Sequence, residues 1–286
     1  MCWSFHLKKS KIFITYGDDN FRLSLKRIRK EAYKLGIFDK VIVYTPKDVS
    51  NEIEQSPLMA NKRGGGYWLW KPYVIWKTMQ KYPNAIVVYA DAGCTLNRNY
   101  EEWNSWFEIM KSVDTLLTHY RPNVDYGWSD AFKTSSVKIS TWTKRQTIDY
   151  FDERFENTDW HNFNKLWGGF VIAKNNSPLI RNWLDIMLAY PELVSDPEDQ
   201  EWEHQYEGFC AHRHDQSIIT PLAYWFEQKE AGIVKIIPET AESSNTSAVV
   251  ASRIKDENKP PLKTRLIFKI KSIIGEEMYR ILHFWK

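Results

Sequence analysis

The sequence predicts an α/β fold, and three observations carry that expectation. Across the first 46 residues a β-rich run, a stretch of helical spacing and a second β-rich run follow in order, which is the pattern of a βαβ unit with a parallel sheet. A third apolar run, AIVVY at 85–89, follows another helical stretch and breaks at a single acid, Asp91. Strand-like and helix-like segments then continue to alternate as far as Pro238.

The elements justify this reading in turn. KIFITYGDD (11–19) is a β-rich run ending in Gly-Asp-Asp, and FRLSLKRIRKEAYKLG (21–36) has helical spacing with Gly36 as its stop. FDKVIVYTP (38–46) is a second strand closed by Pro46, and NAIVVYAD (84–91) a third after the helix-like 67–82. A helix over 104–113 and a strand over 115–120 come next, followed by polar, aromatic sequence of weak periodicity at 124–151. A Gly-Gly turn opens a short strand within 166–175, and Pro178 sits in the first turn of a helix over 177–194. A further helix covers 214–228 and a last strand 232–238. The Ser-, Ala- and charge-rich stretch 239–261 reads as a linker. After it, Leu266, Ile270, Ile273, Ile274, Met278, Ile281, Leu282 and Trp285 recur at helical spacing among Lys and Arg, the pattern of a basic amphipathic helix over 262–286.

Composition narrows the function classes. A chain of 286 residues with 43% hydrophobic content can bury a sizeable core. Its 14 Trp, 15 Tyr and 14 Phe make 15% of the chain; surfaces built from them suit flat amphipathic ligands such as sugars and bases, and the competing reading is a large aromatic core that takes most of them. A net charge of +3 argues against nucleic acid as partner. The charge is unevenly placed: residues 259–286 hold seven basic and two acidic side chains, a surplus of five that leaves −2 elsewhere. That tail is the expected contact with an anionic membrane surface; the competing reading is a helix packed back onto the domain. Three cysteines without CxxC or Cys/His spacing favour a reducing compartment. No apolar run reaches about 18 residues, the length a spanning helix requires. With no signal-peptide pattern in MCWSFHLKKSKIFITY, the expected location is the cytoplasm, with peripheral attachment to the inner face of the membrane.

Three motifs carry candidate chemistry. In VVYADAGC a strand-terminal Asp91 could hold a hard divalent cation through a carboxylate and phosphate oxygens, while Ala92 and Gly93 leave room for phosphate. The competing reading of Asp91 is a turn or cap residue. In NKRGGGYWLWKP (61–72) three glycines could offer backbone N–H groups to phosphate beside Lys62, Arg63 and Lys71; the competing reading is a hinge. The segment matches neither GxxxxGK[ST] nor GxGxxG. In AHRHDQSI (211–218) two histidines and an acid supply metal ligands or a general base, unless Asp215 or Ser217 merely caps a helix.

The succession GGGYWLWKP, YADAGC, HDQ resembles the nucleotide-sugar glycosyltransferases of GT-A fold, in particular small bacterial enzymes of capsule and lipopolysaccharide assembly, over about residues 10–240. The resemblance implies a GT-A-like, Rossmann-type mixed sheet flanked by helices, with a nucleotide-binding half at about 10–120 and an acceptor half at 121–238. It implies Thr15, Tyr16 and Asp18 at the nucleoside, Asp91 as the first acid of an Asp-x-Asp metal site, and Trp167, Gly168 and Gly169 along the donor and acceptor pocket. Gly93 stands where the second acid belongs, so a Mn²⁺ or Mg²⁺ ion would take His214 or water as its other ligand, or Arg63 and Lys71 would meet the leaving diphosphate instead. Asp215 is the implied catalytic base of an inverting reaction; a retaining one needs none. The implied activity moves a sugar from a nucleotide-sugar, a UDP-sugar first among them, to a lipid-linked or growing surface glycan. Two alternatives stand beside it. A sugar nucleotidyltransferase would carry a Gly-rich first turn, which YGDDNF is not, and a non-catalytic carbohydrate-binding protein would leave Asp91 and the His-Asp cluster without a role.

Overall fold

The computed structural model describes residues 9–155, 159–174 and 176–254. Its strands are β1 (Lys11–Tyr16), β2 (Lys40–Tyr44), β3 (Ile86–Ala90), β4 (Thr95–Leu96), β5 (Thr115–His119), β6 (Phe170–Ala173), β7 (Val234–Pro238) and β8 (Val249–Val250). Its helices are α1 (Arg22–Leu35), α2 (Asn51–Glu54), α3 (Gly64–Tyr67), α4 (Trp70–Lys81), α5 (Tyr100–Ile109), α6 (Ser129–Phe132), α7 (Arg145–Phe155), α8 (Pro178–Ala189) and α9 (Asp215–Lys229).

Six strands form one sheet in the order β2-β1-β3-β6-β5-β7. β1 runs parallel to β2 and β3, β5 runs parallel to β7, and β6 is antiparallel to both β3 and β5. The mixed, helix-flanked sheet expected from the sequence is therefore present. Reversal of β6 follows from its approach: the chain turns at Gly168-Gly169, beside the carboxyl end of β3, and enters the sheet there. The carboxyl ends of five strands thus share one edge with the start of β6.

Side chains alternate across this sheet, as the pleat requires. Ile14, Val87, Tyr89 and Val171 point into a core shared with α4, α8 and α9, while Phe13, Val88, Ala90 and Ile172 pack under α1 and α5. Burial on both faces explains why the central strands read as unbroken apolar runs. In α1, Leu25, Ile28, Ala32 and Leu35 recur on the buried side, and Gly36 ends the helix at φ +67°, where its N–H reaches Tyr33 O.

The stretch expected as a linker from 239 is instead built into the fold as far as 254. β8 pairs antiparallel with β4, and Glu239, Ala248 and Val249 are fully buried. Glu102 of α5 holds this segment, accepting from Thr240 Oγ1 (2.7 Å), Ser247 Oγ (3.1 Å) and the Ala248 N–H. Of the six Ser and Thr hydroxyls in 239–254, two, those of Thr240 and Ser247, are spent on this carboxylate. Glu102→Ala is expected to lower stability by about 2–4 kcal/mol, since buried donors lose a charged acceptor. Urea denaturation measures the loss, and hydrogen exchange should place it at Val249 and Val250. The amphipathic helix expected over 262–286 lies outside the described residues. Among the described residues no helix is long and apolar enough to cross a membrane.

Candidate active site

From β1 the chain crosses to β2 on one flank and then returns to β3 on the other. Such a reversal opens a crevice outside the carboxyl ends of the strands, where ligands of open α/β sheets bind. Asp91 follows β3 directly into that crevice. Its backbone N–H donates to Gly169 O (2.9 Å), its carbonyl accepts from Cys94 N–H, and the Tyr89 hydroxyl donates to its Oδ1.

Lys71, from the first turn of α4, reaches the same point. Its Nζ lies 3.1 Å from Asp215 Oδ2 and 3.6 Å from Asp91 Oδ1, and donates to Gly168 O at 2.9 Å. Four segments far apart in sequence therefore meet at one ammonium. Access is unequal: the Asp91 side chain is 41% exposed, against 2% for Lys71 and 4% for Asp215. Burial pushes the Asp215 carboxyl up to about 6, with Lys71 opposing the rise. Burial also works against the Lys71 ammonium, but Asp215 and Asp91 together overcome it and leave its pKa raised. The Tyr89 phenol is held well up by burial and by Asp91, so it stays a donor.

The triple glycine does a different job from the one expected of it. Gly64, Gly65 and Gly66 have φ of +59°, +58° and +94°, and Tyr67 and Trp68 continue the left-handed run at +51° and +61°. The N–H groups from Gly65 to Leu69 are spent inside the turn, on Lys62, Asn61, Arg63, Gly64 and Gly66 carbonyls. They are not offered to phosphate. Left-handed geometry at two aromatic residues costs roughly 1–2 kcal/mol each, and what it secures is the placement of Trp70 and Lys71 at the head of α4. Trp70 Nε1 donates back to Gly64 O (2.8 Å), and its ring stacks on Tyr16 at 3.9 Å. A Cβ on Gly66 would lie 2.3 Å from Met59 Sδ and 3.1 Å from its Cα. Gly66→Ala is expected to destabilise the protein by about 2–4 kcal/mol, read as a lower melting temperature with activity lost in parallel.

The other expected site residues divide. Trp167, Gly168 and Gly169 form the floor, through the two carbonyls that hold Lys71 and Asp91; Gly168 sits so close to Gln216 that a Cβ would meet its Cγ at 2.7 Å. Thr15 and Tyr16 are buried at the end of β1, with Thr15 Oγ1 lacking a partner among the described residues. Burial, with Asp18 and Asp48 nearby, lifts the Tyr16 phenol to about 12. Asp18 caps the turn at Asn20 N (3.0 Å), and Arg63 is tied to Asp196 (2.9 Å). Ala92 is buried, with its carbonyl taken by Arg27. Room beside Gly93, expected for phosphate, is covered by the backbone of Arg253 and Ile254, and Ile254 N–H donates to Gly93 O.

His214 is not assembled with Asp91 as a ligand pair. Its Nδ1–H donates to Val194 O (2.8 Å), its Nε2 faces Asp196 at 3.7 Å, and burial lowers its pKa to about 4. Oδ1 of Asp91 is engaged by Tyr89 and faces Lys71. Among the described residues no group of three His, Cys, Asp or Glu side chains could hold a metal ion. A Mn²⁺ or Mg²⁺ ion at Asp91 would therefore need phosphate oxygens and water for its other ligands.

No family model matches the chain, and no curated protein does. Three transferases are among the solved structures it is similar to. One is a glycosyltransferase involved in glycosylation of the major capsid of PBCV-1 (7% identity, 71% of this chain and 81% of that one, TM-score 0.38). Another is apo mouse xyloside xylosyltransferase 1 (11%, 80% and 84%, 0.38). The third is the galactosyltransferase LgtC with donor and acceptor sugar analogues (12%, 79% and 72%, 0.40). At these values the likeness assigns no residue a role, and the site rests on its own geometry.

Sequence reasoning missed Tyr89 and the wall at 253–254. A signal for Tyr89 existed: two residues before Asp91 in a strand, it must point to the same face. Nothing in the local sequence marks Arg253 and Ile254, which reach the site only through tertiary folding.

Proposed function

We propose that the chain is a glycosyltransferase, moving a sugar from a nucleotide-sugar, with a UDP-sugar as first candidate, to a lipid-linked or growing surface glycan. The observation that supports this most is the Lys71 ammonium locked between Asp91 and Asp215 at the switch-point crevice. Ionised together, the three carry −1, which repels a diphosphate and suits the positive charge that develops at the sugar's anomeric carbon. Asp91 alone among them is open to substrate, so the base that accepts the acceptor hydroxyl's proton is placed there. Asp215, first expected in that role, is closed off and positions Lys71. Preorganisation of this kind needs no rearrangement as charge develops. The roles given to Lys71 and Asp91 require no metal, and no step is given to one.

The test is release of nucleoside diphosphate from a panel of UDP-, GDP- and CMP-sugars, with and without chelator and Mn²⁺. Turnover with at least one donor, surviving chelation, is expected. No turnover and no nucleotide binding across the panel would sink the reading, and turnover strictly dependent on Mn²⁺ would sink the roles given to Lys71 and Asp91. Peripheral attachment to an anionic membrane surface through 262–286 is part of the proposal, supported by that segment's basic, amphipathic sequence. Removing 262–286 is expected to release the protein from anionic vesicles in flotation, while activity on soluble acceptors persists.

A further inference from the structure

A second cluster of charge lies on the same sheet edge, beyond the carboxyl end of β5. Lys165 is buried, with its Nζ 3.8 Å from the Tyr120 ring, 4.1 Å from Trp128 and 4.7 Å from Trp142. Arg213 shares the last of these rings, its Cζ 4.5 Å from Trp142 and 4.7 Å from Phe132. Neither has a carboxylate within ion-pairing distance among the described residues, and the buried Arg213 Nε has no hydrogen-bond partner there. Glu242, the acid beside them, is already engaged by Arg253 Nη2 (2.9 Å) and by the Tyr120 hydroxyl (2.8 Å). With Arg253 counted, three cations face one acid.

Aromatic faces attract cations, yet they return less than water provides when two like charges are buried side by side. Burial and the neighbouring Arg213 lower the Lys165 pKa well below its ordinary value, and burial lowers that of Arg213. An anion between them would remove both penalties. The cluster is linked to the crevice already described by chain adjacency and shared contacts. Arg213 is two residues from Asp215, which holds Lys71 beside Asp91; Arg253 lies against Gly93 and binds Glu242, which binds Tyr120, which lies under Lys165.

We propose that Lys165 and Arg213 form an oxyanion subsite at the carboxyl end of β5, binding a phosphate or carboxylate group of a substrate held in this crevice. The inference rests on the transferase reading for the identity of that substrate, and it supplies the counter-charge that the negative Lys71 cluster cannot. Two sources share the chemistry: the donor's diphosphate and an acidic sugar of the acceptor.

The experiment is anion binding by the full chain, which requires no turnover. Inorganic pyrophosphate, UDP and glucuronate are titrated by calorimetry into the wild type, Lys165→Met and Arg213→Met. At least one anion is expected to bind the wild type and to bind each variant at least tenfold more weakly. Weakening of pyrophosphate and UDP assigns the donor's diphosphate; weakening of glucuronate alone assigns an acidic acceptor. Lys165→Met, which keeps the apolar stem and removes a buried charge, should melt no lower than the wild type, and the anions should raise the wild-type melting temperature only. Failure of all three anions to bind the wild type, or equal affinity in the folded variants, overturns the proposal. Tight anion binding with no transfer from any nucleotide-sugar would instead leave the subsite standing and remove the transferase reading.

Discussion

Replacing Lys71 by methionine is expected to reduce sugar transfer by roughly 10²–10³-fold or more, the usual scale for losing a preorganised charge at a reacting centre. Lys71 Nζ is the one atom that touches Asp91, Asp215 and the Gly168 carbonyl together, so its loss frees all three. Stability should fall as well. Removing one partner of a buried ion pair typically costs about 3–5 kcal/mol, lessened here as Asp215 takes up a proton. Structural and chemical roles separate in the double variant. Lys71→Met with Asp215→Asn leaves no uncompensated buried carboxylate and should regain much of the lost stability in urea denaturation, yet stay inactive. A folded Lys71→Met protein with wild-type turnover would end the assignment.

Asp215→Asn is expected to alter the pH dependence of stability in a definite window. The native carboxyl titrates at about 6, because burial outweighs Lys71, whereas the unfolded one titrates near about 4. Between those values the native state still holds a proton that the unfolded state has released. Asp215's contribution to stability is therefore full below about pH 4, declines as pH rises to about 6, and is level above, a span of about 3 kcal/mol. Comparing Asp215→Asn with the wild type at each pH isolates that contribution, and the wild type should lose ground across the window. Lys71, whose pKa is raised, gives a separate limb at high pH, where its stabilisation is lost only as the ammonium deprotonates. Turnover should show an acid limb near pH 6 in the wild type that is absent from whatever activity the variant retains. An unchanged stability difference from pH 4 to 7 would contradict a native carboxyl raised by burial.

Legibility in the sequence followed locality. β1 and β3 were readable because a strand buried on both faces must be apolar throughout, β2 because its Val-Ile-Val-Tyr run is β-branched and aromatic, and α1 because Leu25, Ile28, Ala32 and Leu35 repeat at helical spacing and meet Gly36. Helix 67–82 was readable only in part. Its aromatic entrance, Tyr67 and Trp68, adopts left-handed geometry that side-chain pattern does not encode, and the true helix begins at Trp70. Residues 239–254 misled for a related reason. Their Ser and Thr hydroxyls look solvated until Glu102, more than a hundred positions earlier, is brought beside them. At the site, Asp91 and Asp215 could be singled out as acids, but which one faces substrate depends on burial that only the folded chain defines. Lys165 and Arg213, each ordinary in its own segment, become a pair through Trp142.

The wall formed by Arg253 and Ile254 has a consequence for the timing of assembly during synthesis. β1, β3 and α4 leave the ribosome long before residue 254 does, so the flank at Gly93 is the last side of the crevice to be covered among the described residues. At about 5–20 residues per second, translation from Ala90 to Ile254 takes on the order of ten seconds or more. The crevice is completed by nearly the last described residues to emerge, which keeps an unfinished polypeptide from presenting a finished site.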